Sequence, residues 1–320
     1  MPVITKSTYR PIYLLSNKHI TTIVPSVFRR VNIKYDRERL TTLDNDFIDL
    51  DYSSKKSKTI TLILHGLEGS SNSSNVKGIV KVINQNNWDA VVFNFRGCSG
   101  TPNNLLSAYH SGKTDDLDFV VKHLQKSYEE IFLVGFSLGG NIILKYLGEK
   151  YESIKAIKKA VAISVPCDLK SSAIQMEKLS NKVYMNRFLK TLKNKVFSKC
   201  KIYTEHSINL ELIKNATTFA DFDNEYTAPI HGFRTANNYW KVNSSKQFLK
   251  SSVTPTLLIN ALDDPFLTKQ CFPFEIANAS KTLFLETPEK GGHMGFLSKT
   301  GINGIYWHEQ RVIDFLETTR

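Results

Sequence analysis

Apolar and polar positions along the chain alternate between two periods. Residues 59–64 and 90–95 are runs rich in β-branched and aromatic side chains, the pattern of strands buried on both faces. Between them Val76, Ile79, Val80 and Ile83 recur at helical spacing, which predicts a helix over 76–86 and a parallel βαβ unit. A second helix is predicted over 114–125, where Leu117, Val120, Val121 and Leu124 share a face and Asp115 and Asp116 favour the start. Residues 131–134 predict a strand that runs straight into a helix marked by Leu138, Ile142, Ile143, Tyr146 and Leu147. Further strands are predicted at 159–165, 254–260 and 282–285, the last strand of the chain, with a closing helix at 305–316. Residues 39–52 alternate around Asn45 and predict a hairpin at a sheet edge. The segment 2–38 has no clear period; with Pro11 and Pro25 read as turn formers, it is expected to wrap the core as loop and short helix.

Residues 167–246 break the alternation of strands and helices, carrying helical patterns and an aromatic-rich stretch. An insertion of that length between two sheet strands reads as a mainly helical cap over the site. The expectation is one α/β domain over 1–320: a mostly parallel central sheet with helices on both faces and a cap at about 167–246.

With 320 residues and 41% hydrophobic content, the chain can bury a large core. It has no apolar run long enough to span a bilayer, and Lys6, Arg10 and Lys18 interrupt its beginning, so neither a spanning helix nor a secretory signal is expected. Cys98, Cys167, Cys200 and Cys271 are far apart and form no Cys-x-x-Cys pair. That usage fits a reducing compartment, and a cytoplasmic location is expected. The formal net charge of +12 would attract polyanions. No nucleic-acid motif accompanies the lysines, which are scattered with their densest run between Lys178 and Lys201, so no nucleic-acid partner is expected, while a weak attraction to anionic membrane stays open.

The candidate chemistry is concentrated at strand ends. Gly135-Phe136-Ser137-Leu138-Gly139 is Gly-x-Ser-x-Gly between a predicted strand and helix, which lifts the Ser137 hydroxyl clear of the sheet and leaves the Leu138 N–H without a helical partner. His65-Gly66-Leu67-Glu68-Gly69 follows another strand; it is either an ordinary glycine-rich turn or the loop whose Leu67 N–H completes an oxyanion site. Asp263-Asp264 follows the 254–260 strand, and His293 follows the last one. A hydroxyl needs an imidazole to take its proton, and the imidazole needs a carboxylate to fix its tautomer. Ser137, Asp264 and His293 fill those roles in chain order, with Asp263 as the other candidate for the acid. Arg96 either pairs with an anionic ligand or braces its own loop, the latter being favoured. Cys98 reads as a packing residue and His110 as a hydrogen-bonding loop histidine.

Taken together, His65 to Ser71, Asn94-Phe95-Arg96-Gly97-Cys98-Ser99-Gly100, Tyr109-His110-Ser111-Gly112, the serine turn, Asp263-Asp264-Pro265-Phe266 and Gly291-Gly292-His293-Met294-Gly295-Phe296 resemble the YheT-like branch of the α/β-hydrolase superfamily. Phe222-Asp223, Tyr226-Thr227-Ala228-Pro229 and His231-Gly232-Phe233 fit it too. The resemblance implies a serine ester hydrolase that uses no metal or organic cofactor, acts on a small acyl ester or lipid, and takes the second Asp of the pair as its acid. Short to medium acyl chains are expected from the apolar cap. An acyltransferase passing the acyl group to an alcohol and a non-catalytic binding protein on the same fold are the alternatives.

Overall fold

Short apolar runs that are buried on both faces pair edge to edge, because each needs its backbone donors and acceptors satisfied away from water. The computed structural model describes residues 2–12, 15–149, 155–297 and 299–318. The chain enters through strand β1 (Val3–Ile4) and helix α1 (Lys18–Phe28), then a hairpin of β2 (Asp36–Thr41) and β3 (Phe47–Ser53) that turns at Asn45, φ 60°. β4 (Thr59–Leu64), α2 (Ser74–Gln85), β5 (Asp89–Asn94), α3 (Thr114–Leu124), β6 (Glu130–Phe136), α4 (Leu138–Glu149) and β7 (Ile157–Ile163) alternate after it. Helices α5 (Leu169–Met176), α6 (Lys182–Ile202), α7 (Leu210–Asn215), α8 (Phe219–Phe222), α9 (Ala228–Ile230) and α10 (Ala236–Asn243) precede β8 (Thr256–Ile259). The chain closes with α11 (Phe274–Ala279), β9 (Leu283–Glu286) and α12 (Trp307–Glu317).

These strands form one sheet in the order β1-β9-β8-β7-β6-β4-β5-β3-β2. Its neighbours are parallel except where β3 meets β5 and β2. Along β4 the side chains of Ile60, Leu62 and Leu64 pack with α3 and α4 on one face, while Ile63 packs with α2 and α12 on the other. The mostly parallel sheet with helices on both faces is therefore as expected, and the hairpin lies at the sheet edge.

The first 38 residues differ from the reading as loop and short helix. Pro25 lies inside α1 rather than in a turn, and Asn17 caps the helix by accepting from the His19 and Ile20 N–H groups. A proline this near the end of a helix frees a single carbonyl, that of Thr21, so the helix persists to Phe28. Val3–Ile4 adds a strand outside β9, and β2 begins at Asp36, before the expected start of the hairpin.

Arg29, just past α1, is bound into α12: its Nη2 donates to Glu309 Oε2 at 2.9 Å, with both side chains buried. His308 beside them has both ring nitrogens buried without a hydrogen-bond partner among the described residues. Burial, with the Arg29 charge adding to it, pushes its pKa down to about 3. An unfolded chain takes up that proton near pH 6.5, so His308 contributes its full share of stability above about 6.5 and loses it as pH falls towards 3. Urea titrations at pH 7 and pH 5 should show that His308→Leu removes about 2 kcal/mol of the stability lost between those two values; an unchanged loss would take His308 out of the acid response.

Candidate active site

β6 ends at Phe136 and α4 begins at Leu138, which leaves Ser137 alone at the turn with φ 50°. A left-handed residue other than glycine costs about 1–2 kcal/mol, and the surroundings must hold it there. The Ser137 N–H donates to the Ile163 carbonyl at 2.8 Å, pinning the turn to β7. The helix can follow this closely only because its neighbours are small. A Cβ added at Gly135 would lie 2.7 Å from Gly140 Cα, and one at Gly139 would lie 2.5 Å from the His65 carbonyl oxygen.

The loop after β9 brings His293 over this turn. Its backbone is held from three elements: the Gly292 N–H donates to Asp263 Oδ1 at 3.0 Å, the His293 N–H to Thr22 Oγ1 at 2.9 Å, and the Met294 N–H to Ser164 Oγ at 2.8 Å. His293 Nε2 lies 3.1 Å from Ser137 Oγ and Nδ1 lies 2.8 Å from Asp264 Oδ2. A carboxylate only accepts, so the proton sits on Nδ1 and the Nε2 lone pair faces the hydroxyl. Asp264 is itself fixed by the Phe266 N–H, which donates to Oδ1 at 2.9 Å, and the Phe266 ring packs 4.2 Å from the imidazole. Asp263 braces the histidine loop instead, and burial pushes its carboxyl above the usual range.

Leu67 and Leu138 line the same cavity as Ser137 and His293. Leu138 is the first residue of α4, so its N–H has no carbonyl within the helix. The Leu67 loop is clamped at both ends. His65 Nδ1 donates to the Gly66 carbonyl at 2.7 Å while Nε2 accepts from the Phe95 N–H at 3.1 Å. Those roles need a neutral ring, and burial keeps it so by pushing its pKa down to about 3. On the other side the Glu68 N–H donates to Tyr109 Oη at 2.9 Å, and Tyr109 Oη donates to Glu68 Oε1 at 2.8 Å. Lys195 of α6 donates to that same Oε1 at 2.8 Å and to Cys98 Sγ at 3.1 Å, linking the inserted helices to the loop.

The cavity above Ser137 has a volume of about 590 Å³ and is walled by α1 on one side and by Tyr184, Phe188 and Trp240 on the other. Its size and mixed lining suit a small organic ligand. Arg96 does not reach it. The guanidinium is buried against Asp116, Asp44 and Asp46, which is the loop-bracing alternative. Burial pushes the Cys98 thiol up to about 11, so it stays protonated and packs. His110 Nδ1 accepts from the Gly112 N–H, and its ring packs on His231, Phe233 and Tyr239. Among the described residues no three His, Cys, Asp or Glu side chains group to hold a metal ion, and no helix is long and apolar enough to cross a membrane.

Sequence reasoning gave no role to Thr22, Ser164, Phe266 or Lys195. Phe266 and Tyr109 stand within motifs already singled out, whereas nothing in the sequence around Thr22 or Lys195 points to a partner at the site.

Compared with known proteins, residues 61–300 match the family model described as alpha/beta hydrolase fold. The chain is 34% identical to "Putative esterase YheT" of Escherichia coli (strain K12), the match covering 98% of this chain and 94% of that one. It is 28% identical to human phospholipase ABHD3 over 92% of this chain and 75% of that protein. Yeast monoacylglycerol lipase, from Saccharomyces cerevisiae, is 30% identical over 84% of this chain and 61% of its own. The Pyrococcus furiosus esterase Pf2001 superposes with a TM-score of 0.59 at 17% identity, covering 90% of this chain and 96% of that one, a likeness of fold alone.

The two aspartates separate in one experiment. Asp264→Asn should slow labelling of Ser137 by a fluorophosphonate by about 10⁴-fold, the scale of a lost tautomer-fixing carboxylate. Asp263→Asn should stay within about tenfold of the parent, and the reverse order would exchange their roles.

Proposed function

The chain belongs to the YheT-like branch of the α/β-hydrolase family, and from that premise we propose that it is a serine hydrolase of carboxylic esters. The observation that carries the reading is the hydrogen-bonded relay from Asp264 through His293 to Ser137, at 2.8 and 3.1 Å, on the floor of the cavity. In this reading His293 Nε2 takes the Ser137 proton as Oγ attacks the ester carbonyl. The tetrahedral oxyanion sits between the Leu67 and Leu138 N–H groups. As it collapses, the imidazolium gives its proton to the departing alkoxide, and an alcohol leaves. Water then gives a proton to His293 and attacks the acyl-enzyme. Carboxylic acid departs, and the proton returns to Ser137 Oγ. Each oxyanion donor supplies about 2.7–4 kcal/mol of transition-state stabilisation.

An acyl ester or lipid is the substrate class supported by the names of the relatives, esterase, phospholipase and monoacylglycerol lipase. Tyr184, Phe188 and Trp240 would line the acyl side of the cavity. A volume of about 590 Å³ favours chains of short to medium length.

Ser137→Ala should lower turnover of p-nitrophenyl esters by about 10⁶-fold with the urea midpoint little changed. Across an ester series the parent should prefer short to medium chains. Turnover retained in Ser137→Ala would remove Ser137 from the mechanism, and ethyl esters formed in the presence of ethanol would make an alcohol the acceptor.

A further inference from the structure

Two stretches of the chain carry basic residues with no acidic ones among them. Residues 1–35 and 178–204 contain 14 of the 42 lysines and arginines and none of the 30 aspartates and glutamates. The fold brings these distant stretches to one rim. Ile23 and Arg30 from the α1 side and Tyr184 and Arg187 from α6 all line the cavity that leads to Ser137. Where α1 and α6 begin, His19 Nδ1 meets Tyr184 Oη at 3.1 Å with the two rings stacked.

Lys178, Lys182, Arg187 and Lys190, on α6 and just before it, are exposed, and none of them forms an ion pair among the described residues. The inward lysines of α6 are used otherwise: Lys195 pairs with Glu68, while Lys193 and Lys199 donate to backbone carbonyls. Large apolar side chains stand between the charges. Ile20, Ile23 and Val27 follow one face of α1 at helical spacing, with Phe28 beyond them 59% exposed. On the α6 side Leu179 is 89% and Val183 is 75% exposed.

We propose that this rim docks on an anionic phospholipid bilayer, with the mouth of the cavity against the lipid. Phosphate and carboxylate headgroups would answer the unpaired lysines, and the acyl boundary beneath them would take Phe28, Leu179 and Val183 out of water. A nucleic acid would meet the charges and leave those side chains wet. The proposal rests on the ester-hydrolase reading only for what the docked mouth is used for; docking itself is measured without turnover.

Full-length protein carrying Ser137→Ala is sedimented with vesicles of phosphatidylcholine alone and with vesicles containing roughly one-third phosphatidylserine. Binding should be confined to the anionic vesicles and weaken as salt rises. K178E/K182E/K190E should reduce partitioning by at least about a hundredfold, and V27S/F28S should reduce it without changing its salt dependence. None of these five positions lines the cavity, so in the Ser137 background both variants should turn over a soluble ester as the parent does. No binding, equal binding to both vesicle types, or full binding by K178E/K182E/K190E would overturn the proposal. Tighter binding to soluble polyglutamate than to anionic vesicles would overturn it too, in favour of an acidic protein. Soluble-ester turnover without vesicle binding removes the docking and leaves the hydrolase reading, and vesicle binding without any turnover does the opposite.

Discussion

Everything at the site depends on the register of four parallel strands. Across β6, β7, β8 and β9 the paired positions run Gly135, Ala162, Leu258 and Leu285, so the strands end at one level. Each end then delivers one part: Ser137 from β6, Ser164 from β7, Asp264 beyond β8, and His293 beyond β9. Asn260, fully buried, ties two of those ends together by accepting from the Val165 N–H at 2.7 Å and donating to its carbonyl at 3.1 Å. A slip of one residue anywhere in this ladder would turn a strand's side chains to the opposite face and take the relay apart. The register is held by the paired backbone groups and by side chains close-packed on both faces, which a slip would have to repack.

Two further layers complete what the sheet begins. α1 closes over the histidine loop and supplies Thr22 as acceptor for the His293 N–H. It is held in turn by the Arg29–Glu309 pair, where removing one partner would leave the other charge buried and cost about 3–5 kcal/mol. From the other side α6 reaches the loop that carries Leu67 through Lys195 and Glu68. The loop that carries Leu67 thus takes its shape from the strand it leaves, from Tyr109, and from a helix well over a hundred residues later in the chain.

What could be read from the sequence follows from how local each signal is. The serine turn, the buried runs and the helical stripes involve residues within a turn or a strand of each other, and they were found. The two aspartates are adjacent and chemically identical, so the residues alone left their order open; the structure separates them by what each faces, His293 for Asp264 and the Gly292 N–H for Asp263. Pro25 pointed to a turn because proline removes a helical N–H and its ring crowds the carbonyl four residues back, yet here the helix loses only the bond to Thr21 and runs on to Phe28. Val3–Ile4 is too short to show a period. Thr22 and Lys195 act across more than a hundred positions of sequence, and no local pattern distinguishes a threonine or lysine with such a partner from one facing water.

Ser137 is held at a φ of 50° that a glycine would adopt without strain. Substituting glycine there would relax the backbone and remove the hydroxyl in a single step. The turn therefore holds a conformation that its own residue disfavours, and the cost of about 1–2 kcal/mol is borne by the strands and helix that fix it. Strain and hydroxyl stand at the same residue, so the one cannot be relieved by substitution at this position without losing the other.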